Sequence, residues 1–152
     1  MRAVLTSGSN MGDARAHLQT VADEFAGDTL AASSIYATAP WGNTDQPDFL
    51  NQSLLVDVDA SPHELLARCQ RLEQAAHRVR EERWGPRTLD VDVVWIDGYT
   101  SDDPELTVPH PRAHLRRFVL EPWLEMDPGA ELRGASIRNL LADLDGQGVR
   151  KL

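Results

Sequence analysis

The sequence carries two aspartates one residue apart, Asp90 and Asp92, at the start of an apolar stretch that is typical of a strand. Residues i and i+2 of a strand share a face, so the two carboxylates stand side by side while Val91 faces the other way. Adjacent carboxylates repel unless a cation neutralises them, and such oxygen ligands suit Mg²⁺. The pair predicts a magnesium site that could bridge two ions, although a strand ending in two solvated acids has the same pattern.

Arginines are concentrated near this pair in an otherwise acidic chain. The net charge is −9, yet seven of the 15 Lys and Arg residues fall in two short stretches, namely Arg78, Arg80, Arg83 and Arg87, and Arg112, Arg116 and Arg117. A guanidinium can hold two phosphate oxygens while a metal holds others. We therefore expect a site for a small polyphosphate, and the alternative is two solvated basic loops.

His110 lies between two prolines, Pro109 and Pro111, six residues before Arg116. The prolines restrict the backbone around the imidazole. His110 is therefore a candidate phosphate donor, although a packed turn residue is the more common explanation of such a pattern.

Phe49 and Asn51 share one face of another predicted strand. An aromatic ring beside an amide can stack on a planar heterocycle and hydrogen-bond its edge. Without other information, Phe49 in the core is the simpler interpretation.

The glycine-rich segment from Gly8 to Asp13 resembles a phosphate loop only superficially. It lacks the Lys-Ser/Thr of a Walker A sequence and the spacing of a dinucleotide fingerprint. We interpret it as a tight turn before a helix whose N-cap is Asp13.

The elements that must position these residues follow from periodicity and capping. The order is a strand at 2–6, a helix ending near Gly27, strands at 30–38 and 49–59, a helix after the capping box Ser61–Glu64, a strand at 90–96, and helices at 117–125 and 136–144. The two middle strands form a hairpin without a helical crossover, which argues against a doubly wound sheet. We predict an α+β, ferredoxin-like α/β sandwich with a mainly antiparallel sheet and helices packed on it.

Length and composition narrow the class of protein. The 152 residues, 41% hydrophobic and 26% charged, fit one domain, residues 1–152, with one core. The negative charge argues against nucleic-acid and acidic-membrane partners. Cys69 is the only cysteine, which excludes an internal disulfide, and we expect a cytoplasmic protein that acts as a monomer.

Six ordered segments together resemble one family, the 6-hydroxymethyl-7,8-dihydropterin pyrophosphokinases of folate biosynthesis. The run from Arg83 through Val94 carries the family's signature. The other five segments are Gly8 to Asp13, Tyr36 to Pro40, Asp45 to Asn51, Arg78 to Arg80, and Val108 to Pro111 with Arg116 and Phe118.

The resemblance implies an enzyme that transfers pyrophosphate from ATP to the hydroxymethyl group of a reduced pterin and releases AMP. It implies two Mg²⁺ ions on Asp90 and Asp92, and catalytic roles for Arg78 and Arg87. The ATP-binding positions it implies are Gln70, Glu73, Arg80, Arg83, Trp84, His110 and Arg116. The pterin-binding positions are Phe49, Asn51 and Phe118, with Thr38 and Trp41 lining the pocket through their backbone.

Two other functions fit parts of the pattern. A nucleotide-sugar transferase can hold its metal with Asp-x-Asp, but it would release a nucleoside diphosphate and needs a larger nucleotide-binding domain than 152 residues allow. A small ligand-sensing module with an inert acidic strand end would show no turnover and no Mg²⁺ requirement.

Overall fold

The computed structural model describes residues 1–39, 47–77 and 88–152, and within these ranges it contains ten strands and four α-helices. The helices are α1 (Ala14–Glu24), α2 (Pro62–His77), α3 (Arg117–Met126) and α4 (Ile137–Ala142), with a short 3₁₀ turn at Ala113–Leu115. The strands are β1 (Arg2–Ser9), β2 (Thr29–Ala32), β3 (Tyr36–Thr38), β4 (Phe49–Asp57), β5 (Asp90–Ile96), β6 (Ser101–Asp103), β7 (Leu106–Val108), β8 (Glu131–Leu132), β9 (Ala135–Ser136) and β10 (Val149–Lys151). None of the helices in these ranges has the length and apolarity to cross a membrane.

Six of the strands form one antiparallel sheet in the order β10-β3-β4-β1-β5, and β2 also pairs with β4. β1 is therefore central, between β4 and β5. Two small hairpins, β6–β7 and β8–β9, lie outside the sheet. The prediction of an α+β fold with a mainly antiparallel sheet is confirmed.

Capping residues set the starts of the two long helices. Asp13 accepts a hydrogen bond from the Ala16 amide at 3.1 Å and begins α1. Before α2, the Glu64 amide donates to Ser61 Oγ and the Ser61 amide donates to Glu64 Oε1, both at 3.2 Å. Both predicted helix starts are confirmed, and the capping-box bonds to Ser61 lower the pKa of Glu64.

The two faces of the sheet carry different layers. α1 and α2 cover one face over a core that includes Leu5 and Leu54, and α3 and α4 pack on the other face against Val4 and Leu55. Alternation along the strands separates these sets. Asn51, Asp90 and Asp92, described below, share the second face with Val4.

Three local predictions need correction. Gly8 and Ser9 belong to β1 and are not a turn, because β1 continues pairing with β4 as far as Ser9 and Leu50. The predicted strand at 30–38 is two strands, β2 and β3, because the Ser34 amide bonds to the Glu125 carboxylate and not to a strand. The predicted helical tail also contains strands, since β10 returns to pair with β3.

Glu125 of α3 holds this interrupted strand in place. Its carboxylate accepts hydrogen bonds from the Ser34 amide at 2.8 Å, the Ser34 hydroxyl at 2.7 Å and the Tyr36 hydroxyl at 2.9 Å, and Lys151 Nζ lies at 3.1 Å. Burial alone would raise the pKa of Glu125, but these donors outweigh it and lower the pKa to about 2. Burial and the neighbouring Glu125 carboxylate raise the pKa of Tyr36, so the phenol stays protonated.

We predict that Glu125→Gln lowers the free energy of unfolding by about 1–2 kcal/mol at pH 7, since Gln offers the donors one uncharged oxygen in place of two charged ones. The folded-state pKa lies below its unfolded value, so the stabilisation is present above the unfolded pKa and is lost as pH falls from about 5 toward 2. Urea unfolding of both proteins between pH 2 and 7 measures this. Glu131→Gln, at an exposed position, is the control, and an unfolding difference that does not change with pH would contradict the assignment.

Candidate active site

The site is built on β4, β1 and β5, whose register places its side chains in two rows. Gly8 pairs with Asn51 on one side and Asp90 on the other. Residues directly opposite one another point to the same face of a sheet. Two residues before Gly8 on β1, Thr6 pairs with Asp92. Both aspartates and Asn51 therefore face the same space.

That space is a cavity of about 540 Å³. It brings together seven of the predicted site residues, which are Thr38, Phe49, Asn51, Asp90, Asp92, Arg116 and Phe118. Its other lining residues are Thr6, Gly8, Ala39, Arg112, Leu115 and Gln147. The size suits a small planar molecule together with part of a second ligand.

Asn51 has a fixed orientation in this cavity. It is 4% exposed, and its Nδ2 donates to Thr38 Oγ1 at 2.9 Å. A Cβ added at Gly8 would lie 2.8 Å from Asn51 Oδ1, which is closer than real Cβ atoms come. The absence of a side chain at position 8 therefore makes the room in which the Asn51 amide sits, and Thr38 sets its plane.

A second cavity, of about 340 Å³, lies on the other side of β5. Three predicted ATP-side residues line it, Gln70 and Glu73 from α2 and His110 from the segment after β7. Asp92 lines both cavities. The two spaces therefore meet at Asp92.

Flanking groups hold β5, the strand that separates the cavities. Glu73 Oε2 accepts a hydrogen bond at 3.0 Å from the amide of Val91, the residue between the two aspartates. The His110 amide donates to Val94 O at 2.8 Å. Two predicted ligand-binding residues thus also bind the outer edge of the strand that carries Asp90 and Asp92.

His110 is held in one neutral form. The Arg112 amide lies 3.2 Å from His110 Nδ1, and because an amide only donates, Nδ1 must be the acceptor and the ring proton is on Nε2. Burial, with Arg116 and Arg112 nearby, lowers the pKa of His110 although Asp92 opposes this. At neutral pH the ring offers an Nε2–H donor without a charge.

The side chains at this site fit an Mg²⁺ ion that binds together with a phosphate-bearing substrate. Within the ranges that the structure describes, no three His, Cys, Asp or Glu side chains form a cluster able to hold a metal ion. Asp90 and Asp92 supply two half-buried carboxylates. Mg²⁺ is commonly bound by one or two carboxylates, with water and phosphate completing its shell.

The remaining predicted residues either lie outside the described ranges or line a different cavity from the one expected. Trp41, Arg78, Arg80, Arg83, Trp84 and Arg87 lie outside the described residues. Arg116 lines the larger cavity, with its guanidinium 5.5 Å from the centre of the Phe118 ring, and it does not line the cavity of Gln70 and His110.

Sequence reasoning missed Gly8, Thr6, Leu115 and Gln147 as cavity residues and gave Arg112 no specific role. The spacing of Arg112 before Arg116 is a signal that could have been used, because both line the larger cavity. Arg117, the third arginine of that stretch, instead bonds Glu121 Oε2 at 2.8 Å and stabilises the start of α3. Gln147 has no neighbouring motif in the sequence that would have identified it.

The fold is similar to that of solved HPPK-DHPS structures. One from Plasmodium falciparum superposes with a TM-score of 0.73 at 13% identity, covering 95% of this chain and 45% of that chain. Another, an HPPK-DHPS in complex with substrates, gives a TM-score of 0.73 at 12% identity. This chain spans less than half of each of those proteins, and at such identity the likeness concerns the fold alone.

The sequence is more closely related to several proteins called 2-amino-4-hydroxy-6-hydroxymethyldihydropteridine pyrophosphokinase. The Mycobacterium tuberculosis protein is 45% identical over 158 residues, which cover 95% of this chain and 84% of the relative. The Methylorubrum extorquens protein is 41% identical over 155 residues, which cover 99% of this chain and 98% of the relative. The family model for 7,8-dihydro-6-hydroxymethylpterin-pyrophosphokinase (HPPK) matches residues 4–128, and the chain belongs to this family.

Proposed function

We propose that the larger cavity receives the pterin, that the smaller one receives part of ATP, and that the reaction takes place where they meet. The chain is an enzyme of folate biosynthesis that transfers pyrophosphate from ATP to the hydroxymethyl group of 6-hydroxymethyl-7,8-dihydropterin and releases AMP, as its family membership indicates. The observation that carries the assignment of subsites is that Asp92 lines both cavities.

On the pterin side, Phe49 and Phe118 would hold the ring and Asn51 would read its polar edge. All three line the larger cavity. The amide of Asn51 offers both a donor and an acceptor, and its bond to Thr38 Oγ1 holds the amide plane before the ligand arrives. Thr38 therefore contributes through its side chain, and the sequence-based role of Trp41 stays a prediction.

On the phosphate side, Asp90 and Asp92 would hold Mg²⁺, two ions in our proposal, which neutralise charge on the triphosphate. His110 would donate its Nε2–H to a phosphate oxygen, since its Nδ1 already accepts from Arg112. Arg116 and Arg112, which line the larger cavity, are placed to neutralise the transferred group. Arg78, Arg80, Arg83, Trp84 and Arg87 keep the roles that the resemblance implies, as predictions.

The same proposal covers the setting in which the enzyme acts. We infer one domain over residues 1–152, acting as a monomer in the cytoplasm.

Burial, with Glu73 and Asp92 nearby, raises the pKa of the Cys69 thiol to about 12, so this thiol is unreactive at neutral pH.

The decisive experiment identifies the bond that breaks. Incubation with Mg·ATP and 6-hydroxymethyl-7,8-dihydropterin, followed by nucleotide chromatography, should show AMP and pterin diphosphate in equal amounts, because attack at the β-phosphorus makes AMP the leaving group. ADP would indicate attack at the γ-phosphorus, and absence of pterin-dependent cleavage would overturn the assignment.

Asp90→Asn and Asp92→Asn each remove an anionic ligand and keep the side-chain shape. We expect AMP formation to fall by about 100-fold or more, because metal ions supply several kcal/mol to the transition state and about 1.4 kcal/mol is tenfold in rate. Stability without Mg²⁺ should be unchanged or higher, since two like charges become one.

Single-turnover assays and urea unfolding measure both effects. The matched control is Asp97→Asn, the same exchange at an exposed position just after β5. Near-normal turnover in either folded variant would exclude that carboxylate as a metal ligand.

Asn51→Ala should weaken pterin binding by about 1–3 kcal/mol, or roughly 5- to 150-fold, and leave ATP binding nearly unchanged, because only the pterin's polar edge loses its partner. Gly8→Ala should reproduce this selective loss, since the new Cβ displaces the Asn51 amide. Adding Gly8→Ala to Asn51→Ala should cost little more, because the clash is gone.

Calorimetric titration with each ligand tests these three variants. Gly27→Ala is the control, since a Cβ there meets no atom within 4 Å. Equal losses for both ligands would place Asn51 outside the pterin subsite.

A further inference from the structure

Gln147 makes a two-sided hydrogen-bonded contact with the backbone on either side of Arg116. Its Oε1 accepts from the Arg117 amide at 2.9 Å, and its Nε2 donates to Leu115 O at 2.9 Å. The contact is reciprocal, because Arg117 Nη1 donates to Gln147 O at 2.8 Å. The amide of one side chain thus spans Arg116, and Leu115, Arg116 and Gln147 itself all line the larger cavity.

The contact also gives a hydrogen-bond acceptor to the Arg117 amide, which has none within the helix. Arg117 is the first residue of α3, and amides in the first turn of a helix have no partner within the helix. No side-chain cap comes from the preceding residue, Arg116. Gln147, 30 residues further along the chain, supplies the acceptor.

The segment that carries Gln147 continues into a second wall of the same cavity. β10 begins two residues later and pairs with β3, with Val149 opposite Thr38. Thr38 is the residue that orients Asn51. One short segment therefore joins the wall that carries Arg116 and Phe118 to the wall that carries Thr38.

We propose that Gln147 is a positioning residue that sets Arg116 and Phe118 for their two ligands. This inference rests on the proposed function, since Arg116 serves the phosphate side and Phe118 the pterin side. Both are near the two peptide groups that Gln147 holds, and small displacements of positioned groups are costly for binding and catalysis. Gln147 lies beyond residues 4–128, which match the family model.

Gln147→Met keeps the length of the side chain and removes both hydrogen bonds. We expect faster hydrogen exchange at the Arg117 amide, and binding of Mg·ATP and of 6-hydroxymethyl-7,8-dihydropterin each weakened about tenfold in calorimetry. The matched control is Gln19→Met, which removes the 2.8 Å bond from an exposed glutamine to Asp23 on α1, on the other face of the sheet. Its affinities should equal those of the wild type.

A double-mutant cycle separates positioning from general loosening. In an Arg116→Ala background, Gln147→Met should cause no further loss of Mg·ATP affinity but should still weaken pterin binding through Phe118. A tenfold loss of Mg·ATP affinity in both backgrounds would overturn the positioning role.

The remaining outcomes distinguish the two proposals. Wild-type protein that binds both ligands, with Gln147→Met binding them equally well, would overturn the role of Gln147 and leave the proposed function intact. Wild-type protein that binds neither ligand would overturn the proposed function itself, while the exchange rate of the Arg117 amide still reports whether the contact exists in solution.

Discussion

The register of β1 between β4 and β5 is the constraint on which the site depends. It places Gly8 opposite both Asn51 and Asp90, and Thr6 opposite Asp92. Because side chains alternate along a strand, a slip of one residue would turn these groups onto the apolar face under α1 and α2. The buried side chains of the neighbouring positions, such as Leu5 and Val93, oppose that slip. The hydrophobic core therefore fixes which functional groups share the cavity.

The carboxylate pair lies on β5, an edge strand whose outer backbone groups have no neighbouring strand to bond in the described part of the chain. The outer backbone groups of an edge strand need partners or water. Two of those on β5 are taken by Glu73 and His110, through Val91 N and Val94 O. Glu73 and His110, which line the smaller cavity, thus also bind the strand that carries Asp92, so the proposed metal ligands and the proposed ATP contacts are joined by direct hydrogen bonds.

Local signals allowed most of the framework to be predicted from the sequence. The period of two along 90–96 identified the shared face of the aspartates, and the capping pattern at Ser61 identified the start of α2. The resemblance also predicted that Phe49 and Phe118 belong to one site, and both line the larger cavity. These features succeed because each is decided within a few residues of the chain or by a recognisable motif.

The missed features depend on contacts between distant segments. Glu125 interrupts a predicted strand from 91 residues away, and Gln147 holds Leu115 and Arg117 from about 30 residues away. Nothing in the neighbourhood of either residue in the sequence specifies such a partner.

Glu125 and Gln147 nevertheless act on one region. Glu125 ties α3 to Ser34, Tyr36 and Lys151, and Gln147 ties the start of α3 to the segment that leads into β10. One end of α3 is thereby fixed through Gln147 and the other through Glu125. The wall that presents Phe118 is held to β3 by polar contacts at both ends of the helix, in addition to its apolar packing.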